Sequence, residues 1–191
     1  MPRTTSVARW VSLLAHPFVM VAVMVVVAAL HFGTRADAFR ALMAVALFTL
    51  LPLAVLMILQ VRRGSWTNVD ASERGERPVL FVVGLVGLAA LLAYSFFFPS
   101  QSFLVRGAVG TLGLLSVCAA VTPWLKVSLH MAFGALATAT LLLLGSQVGW
   151  ILLVVMPALA WSRLALKRHR PSEVAVGALA GVGAALAILS S

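Results

Sequence analysis

The residues best equipped for chemistry stand together in Ser162-Arg163-Leu164-Ala165-Leu166-Lys167-Arg168-His169-Arg170-Pro171-Ser172-Glu173. This stretch follows a long apolar run and sets a histidine, a glutamate and several cations at its boundary. With only 4 His and 5 Asp+Glu in the chain, a His and a Glu four residues apart are not a compositional accident. Clustered cations can hold a phosphate, an imidazole can attack it, and a carboxylate can orient that imidazole. Pro171 suits the first turn of a helix, where its missing N–H costs nothing. Glu173 then falls in that turn, and the helix N-terminus faces the basic cluster. A phosphate docked there gains from the helix dipole as well as from Arg163. The chemistry implied is that of a phosphoryl group.

Two further segments carry reactive side chains. In Lys126-Val127-Ser128-Leu129-His130, Ser128 can hydrogen-bond a phosphate oxygen and His130 can protonate a departing alkoxide. In Glu76-Arg77-Pro78, Arg77 can clamp a phosphate. Each segment also has a plain structural counterpart when taken alone. These are a basic membrane anchor with a capping Glu, a solvated histidine at a helix end, and a topology-setting arginine.

The elements that must position these segments are membrane spans. The 191 residues are 62% hydrophobic and 10% charged, with a mean hydropathy of +1.09. The apolar residues come in long uncharged runs, which read as transmembrane helices. The net charge of +9 would suggest a nucleic-acid partner in a soluble protein. Here the cations sit in short loops beside spans, so the partner is the bilayer and nucleic acid is not expected. The single Cys118 excludes a disulfide within the chain and any Cys-based metal site. The run from Trp10 to Gly33 is too long for a signal-peptide core and reads as a retained first span.

The expected fold is an all-α polytopic helix bundle with six or seven spans, one integral membrane domain over residues 1–191. The spans fall at about 17–32, 41–61, 78–98 (closed by Pro99-Ser100), 107–125, 128–144, 150–166 and 172–189. Pro157 is a candidate kink, and Gly177-x-x-x-Gly181 reads as tight packing within the bundle. Alternating the spans sorts the loops onto two faces. The N-terminus and the loops at about 62–78, 126–130 and 162–173 share one face. Eleven of the 14 Lys/Arg lie there, with His130, His169 and every acid except Asp37. Three loops distant in sequence thus converge on one side of the membrane.

Together the three segments resemble the type 2 phosphatidic acid phosphatase superfamily, membrane lipid phosphatases related to vanadium haloperoxidases. That superfamily carries three ordered motifs: Lys, six residues, Arg-Pro; then Pro-Ser-Gly-His; then Ser-Arg, five residues, His, three residues, Asp. This chain offers Arg77-Pro78, then Ser128-x-His130, then Ser162-Arg163, five residues, His169, three residues, Glu173. The likeness extends from about Arg62 to the C-terminus. Asp70 stands where the first motif has Lys, leaving that phosphate contact to Arg74, Arg63 or Lys126. Val127 and Leu129 replace the Pro and Gly of the second motif, and Glu173 replaces Asp.

The resemblance implies a phosphatase acting on a phosphorylated lipid through a phosphohistidine on His169. Glu173 would orient His169, and His130 would protonate the leaving oxygen and then activate water. Arg77, Arg163 and Ser128 would hold the phosphate oxygens, with Lys126 and Arg170 as further contacts, and no metal or other cofactor is required. A phosphotransferase on the same scaffold differs only in what occupies the water position. Asn68-x-Asp70-x-x-Glu73-x-x-Glu76 resembles the magnesium-binding loop of membrane prenyltransferases of the 4-hydroxybenzoate type. The second acidic loop of those enzymes has no counterpart, since the C-terminal half holds only Glu173. The acidic stretch is instead expected to be a solvated loop that pairs with Arg62, Arg63 and Arg74. A lipid transporter or assembly factor would leave the three co-facial segments unexplained. The expected location is a bacterial cytoplasmic membrane. Seven cations remain on the motif face without the candidate phosphate ligands, against three opposite, which points that face to the cytoplasm.

Overall fold

The computed structural model describes residues 3–71, 73–97 and 102–190, and among these the regular structure is entirely helical. Helix α1 spans Arg3–Leu14, α2 Pro17–Phe32 and α3 Arg35–Val45. A π turn over Ala46–Leu50 joins α3 to α4, Leu51–Arg62. A 3-10 turn, Arg74–Glu76, leads into α5, Arg77–Ser95. Then follow α6, Ser102–Val121; α7, Leu129–Leu143; α8, Gln147–Ala165; and α9, Pro171–Ser190. Among the described residues, six helical stretches are long and apolar enough to cross a membrane: Thr4–Phe32, Arg35–Arg62, Arg74–Ser95, Ser102–Val121, Gln147–Ala165 and Pro171–Ser190. Helix α7 is a seventh, shorter apolar helix, about 22 Å long at the usual rise. Phe98, Pro99 and Ser100, expected to close the third span, lie outside the described residues.

The expected first span differs in one respect. The uncharged run from Trp10 to Gly33 is not one helix, because the chain breaks between α1 and α2. Pro17 disfavours helical backbone at the residue before it, and His16 is extended, with φ −62° and ψ 144°. His16 becomes the N-cap of α2, its Nδ1 accepting the Phe18 N–H at 3.3 Å. The π turn has a similar origin. Pro52 has no N–H for the Phe48 carbonyl, and that carbonyl instead faces Gly87 of α5, where any side chain would collide with it. Pro157, by contrast, leaves α8 continuous.

Helix packing closes a ring. Helix α2 packs on α3 and α7, the α3–α4 unit on α5, α5 on α6, α6 on α9, and α9 back on α7. Helices α1 and α8 pack on each other, and α8 on α7, outside the ring. The closest seam is α7 against α9, and its cause is legible. A Cβ on Gly177 would stand 2.6 Å from the Ser128 carbonyl oxygen, and one on Gly181 2.8 Å from the Leu136 nitrogen. The small-residue motif therefore serves the bundle interior, as expected.

This seam gives a direct test. Gly181→Ala should lower stability by about 1–3 kcal/mol through overpacking. Gly183→Ala, whose added carbon meets no atom within 4 Å, should be neutral. Thermal unfolding of both variants in one detergent checks the pair.

Candidate active site

The site begins with how α8 ends. Its last carbonyls are closed by paired bonds, Lys167 N–H to Leu164 O (2.9 Å) and Arg168 N–H to Arg163 O (3.2 Å). This closure needs a left-handed residue, and Lys167 supplies it at φ +54°. The turns after α4 and α7 place Gly64 and Gly145 at the matching position. A lysine there costs about 1 kcal/mol or more, so the reversal that delivers His169 is mildly strained. Pro171 then opens α9, with Glu173 in its first turn.

His169 is held by two acceptors. Its Nδ1 lies 2.9 Å from Glu173 Oε2 and 3.1 Å from the Lys126 carbonyl oxygen. Neither acceptor carries a proton to give, so Nδ1 carries the N–H and Nε2 keeps its lone pair. The same Glu173 oxygen accepts the Arg170 N–H at 3.1 Å. The His169 side chain is 3% exposed and borders a cleft of about 700 Å³, with Lys126, Arg168 and Arg170 on its walls. Burial pushes its pKa well below the ordinary 6.5, and the charges of Arg77 and Arg163 push the same way. Glu173 opposes both, through its hydrogen bond and its charge. At neutral pH the imidazole is uncharged and its free nitrogen nucleophilic.

The other two segments are tied to the same place. Arg77 Nη1 donates to the Val127 carbonyl at 2.7 Å, and the Ser128 N–H donates to the Glu173 carbonyl at 3.1 Å. Three consecutive residues of the α6–α7 connection, the second motif among them, are thus gripped by residues of the first and third motifs. Ser128 is the N-cap of α7, yet its hydroxyl makes no capping bond. His130 follows in the first turn, its ring edge-on to His16 at a centroid distance of 5.1 Å. No hydrogen bond joins the two motif histidines among the described residues. His130 borders an interior cavity, while His169 faces the cleft.

One observation stands out among the buried polar atoms. Apart from Thr138 and Thr140 of α7, those without a partner among the described residues are Arg77 Nε, Ser128 Oγ, His130 Nε2 and Arg163 Nε. All four belong to residues singled out from sequence. Buried donors and acceptors are normally satisfied, and a set left open in one region marks a place for a polar ligand.

Asp70 departs from expectation. The expected substitutes for the missing Lys were Arg74, Arg63 or Lys126, and of these Arg74 donates to the Pro123 carbonyl at 2.8 Å. The acidic loop was expected to be solvated and to pair with Arg62, Arg63 and Arg74. Instead Asp70 reaches inward, accepting from Arg163 Nη1 at 3.1 Å and from Arg168 Nη1. Glu76 accepts the N–H groups of Thr67 (2.7 Å) and Glu73 (3.0 Å) and braces the loop itself. These carboxylates are already committed, which removes support for a magnesium diphosphate loop. His16, Asp70 and His130 also bring three potential metal-ligand atoms within 4.8 Å of one another. Two guanidiniums on the Asp70 carboxylate make that cluster a poor place for a cation.

Of the expected phosphate contacts, Arg77, Ser128 and Arg163 are buried in the convergence, while Lys126 enters through its carbonyl. Arg170 contributes its N–H, and its residue surface is exposed. The sequence reading missed Ser12, whose hydroxyl accepts from Arg163 Nη1 at 2.5 Å, and His16 beside His130. The available signal was the His16-Pro17 pair, a helix break inside an apolar run near the same face. Comparison of the chain with protein-family models, curated proteins and solved structures finds no match.

Two outcomes follow from this geometry. The acid limb of any His169-dependent activity should fall below pH 6.5, since the folded imidazole binds its proton only at lower pH. Stability should decline over the same window, because the unfolded chain takes up that proton first as pH falls. Glu173→Gln removes the partner that raises the His169 pKa, so its limb should move lower still, with a severe loss of rate. Glu173→Asp should retain more activity than Gln. Rate and unfolding profiles against pH check both. Asp70→Asn should lower Tm by leaving buried Arg163 short of charge, at a cost of about 3 kcal/mol. Added inorganic phosphate should recover more of that loss than it adds to the parent protein.

Proposed function

We propose that this protein is a membrane lipid phosphatase that hydrolyses a phosphomonoester or diphosphate through a phosphohistidine. One observation carries the reading. A neutral histidine is held by its Nδ1, with Nε2 facing the cleft, at the end of the bundle where four buried polar atoms of the other motif residues lack partners among the described residues. The order and spacing of the three segments support it independently.

In the proposed reaction, His169 Nε2 attacks phosphorus as the bond from phosphorus to the lipid oxygen breaks. The departing oxygen takes a proton from His130. Glu173 stabilises the imidazole as it becomes positively charged. Arg77, Arg163 and Ser128 offset the charge on the equatorial oxygens, aided by Lys126 and Arg170 at the cleft. His130, now a base, takes a proton from water as the water attacks the phosphohistidine. Phosphate leaves and His169 is restored. We assign the site to the cytoplasmic face of a bacterial cytoplasmic membrane, on the excess of cations there.

The two histidines are expected to separate in one experiment. With a lipid phosphate, His130→Ala should cost about a hundredfold or more, the scale of acid catalysis. With an aryl phosphate, whose leaving group needs no proton, the first step should survive and the variant should accumulate an acid-labile phosphohistidine. His169→Ala should give neither turnover nor label with either substrate. Equal loss of label in both variants would sink the proposed roles.

A further inference from the structure

The ring formed by α2, α3–α4, α5, α6, α9 and α7 lines a partly open lumen. It begins at His16, Asp70 and His130 and ends among Phe32, Ser102 and Arg106, near the other end of the bundle. Its α2 wall runs from Pro17 to Phe32, about 22 Å at the helical rise. The room open to the centres of water-sized spheres is about 270 Å³. Spread over that length, and with a sphere's own radius added on each side, this is a passage roughly 6–7 Å across on average, room for one hydrocarbon chain with some slack. Between its ends the walls are almost entirely aliphatic and aromatic, with Thr49, Thr111 and Thr140 as the hydroxyl-bearing exceptions. Phe32 and Phe103 stack at the far end, with centroids 6.2 Å apart and planes at 17°.

A dry, narrow, membrane-length cavity that starts at an unpartnered His130 Nε2 has a shape that selects its occupant. Two chains lying side by side need more width than that. A small polar substrate leaves the aliphatic length empty. We propose that the lumen holds a single extended hydrocarbon chain, so that the substrate is a long single-tailed alkyl or isoprenoid phosphate. The ester oxygen then lies beside His130, where a proton is needed, and the phosphate lies beyond it toward His169, Arg77 and Arg163. Phe32 and Phe103 form the floor and limit the length of chain that fits. This inference rests on the phosphatase reading for its headgroup, and on the lumen alone for its tail.

The test uses the full chain in nanodiscs of zwitterionic lipid, with straight-chain and isoprenoid monophosphates of increasing length and dioleoyl phosphatidate. For single chains kcat/KM should rise with length and level off once the lumen is filled, and the two-chain substrate should be at least tenfold poorer. The straight and isoprenoid arms show which chain the walls prefer. Ala28→Trp, which narrows the lumen from α2, should move the optimum to shorter chains, and Phe103→Ala should move it to longer ones. The free long-chain alcohols, which carry no phosphate, should raise Tm in the parent protein and raise it less in Ala28→Trp. Phosphatidate turned over as well as the best single chain would overturn the inference, as would variants that change all lengths equally. Tm shifts by the alcohols without phosphate release from any lipid would uphold the lumen and refute the phosphatase. Phosphate release without chain-length dependence would do the reverse.

Discussion

The arrangement depends on how three consecutive peptide groups are satisfied. The chain between α6 and α7 is not helical at Lys126–Ser128: Val127 N–H donates to Leu125 O at 2.8 Å and Ser128 O accepts from Ala132 N–H at 2.9 Å, but Lys126 O, Val127 O and Ser128 N–H have no helical partner. At the boundary of an apolar bundle such groups must find bonds elsewhere, or each costs several kcal/mol. Lys126 O takes His169, Val127 O takes Arg77, and Ser128 N–H takes the Glu173 carbonyl. The residues with reactive side chains are therefore also what pins the loop. Structure and candidate chemistry share the same bonds. A substitution that removes one of them releases a buried backbone group as well as a functional one.

Charge follows a related constraint. Arg77 and Arg163 are 2% and 1% exposed, and burying a guanidinium costs several kcal/mol unless charge is supplied nearby. The acids available are few. Asp70 is shared between Arg163 and Arg168, and Glu173 is committed to His169. The convergence keeps an excess of positive charge, together with donor atoms that have no partner among the described residues. Such a region favours an anion with several oxygens, which is the support it lends to a phosphate substrate. It disfavours a cation at the His16–Asp70–His130 cluster for the same reason.

Helix packing adds a second environment directly beside the first. Glycines on α9 let it close on α7, and Gly84 and Gly87 let α5 close on α6 and on the π turn. These seams complete the ring and leave a narrow apolar interior. His130 stands at the boundary, one residue into a helix that begins among cations and continues into a greasy wall. A molecule that is charged at one end and apolar along its length matches that boundary.

Much of this was legible in the residues themselves. Long uncharged runs set the helix class and narrowed the spans to six or seven, because a bilayer tolerates few alternatives. Alternating seven spans puts Arg77, Ser128, His130, Arg163, His169 and Glu173 on one face, which allows them to meet; helix packing decides that they do. The spacing of His169 and Glu173 across the start of α9 made their hydrogen bond predictable, since it needs only local helix geometry. What tertiary structure alone decided is where groups from unrelated segments turn. Asp70 read as a solvated loop acid, yet the loop carries it inward to Arg163 because a buried guanidinium needs a counter-charge. His16 read as one residue of a continuous span, yet Pro17 breaks the helix and the ring brings it edge-on to His130. The lumen, too, lies outside any single segment's pattern. It exists only because glycine contacts spaced along different helices close the ring, and periodicity within one helix cannot report which neighbour it will meet.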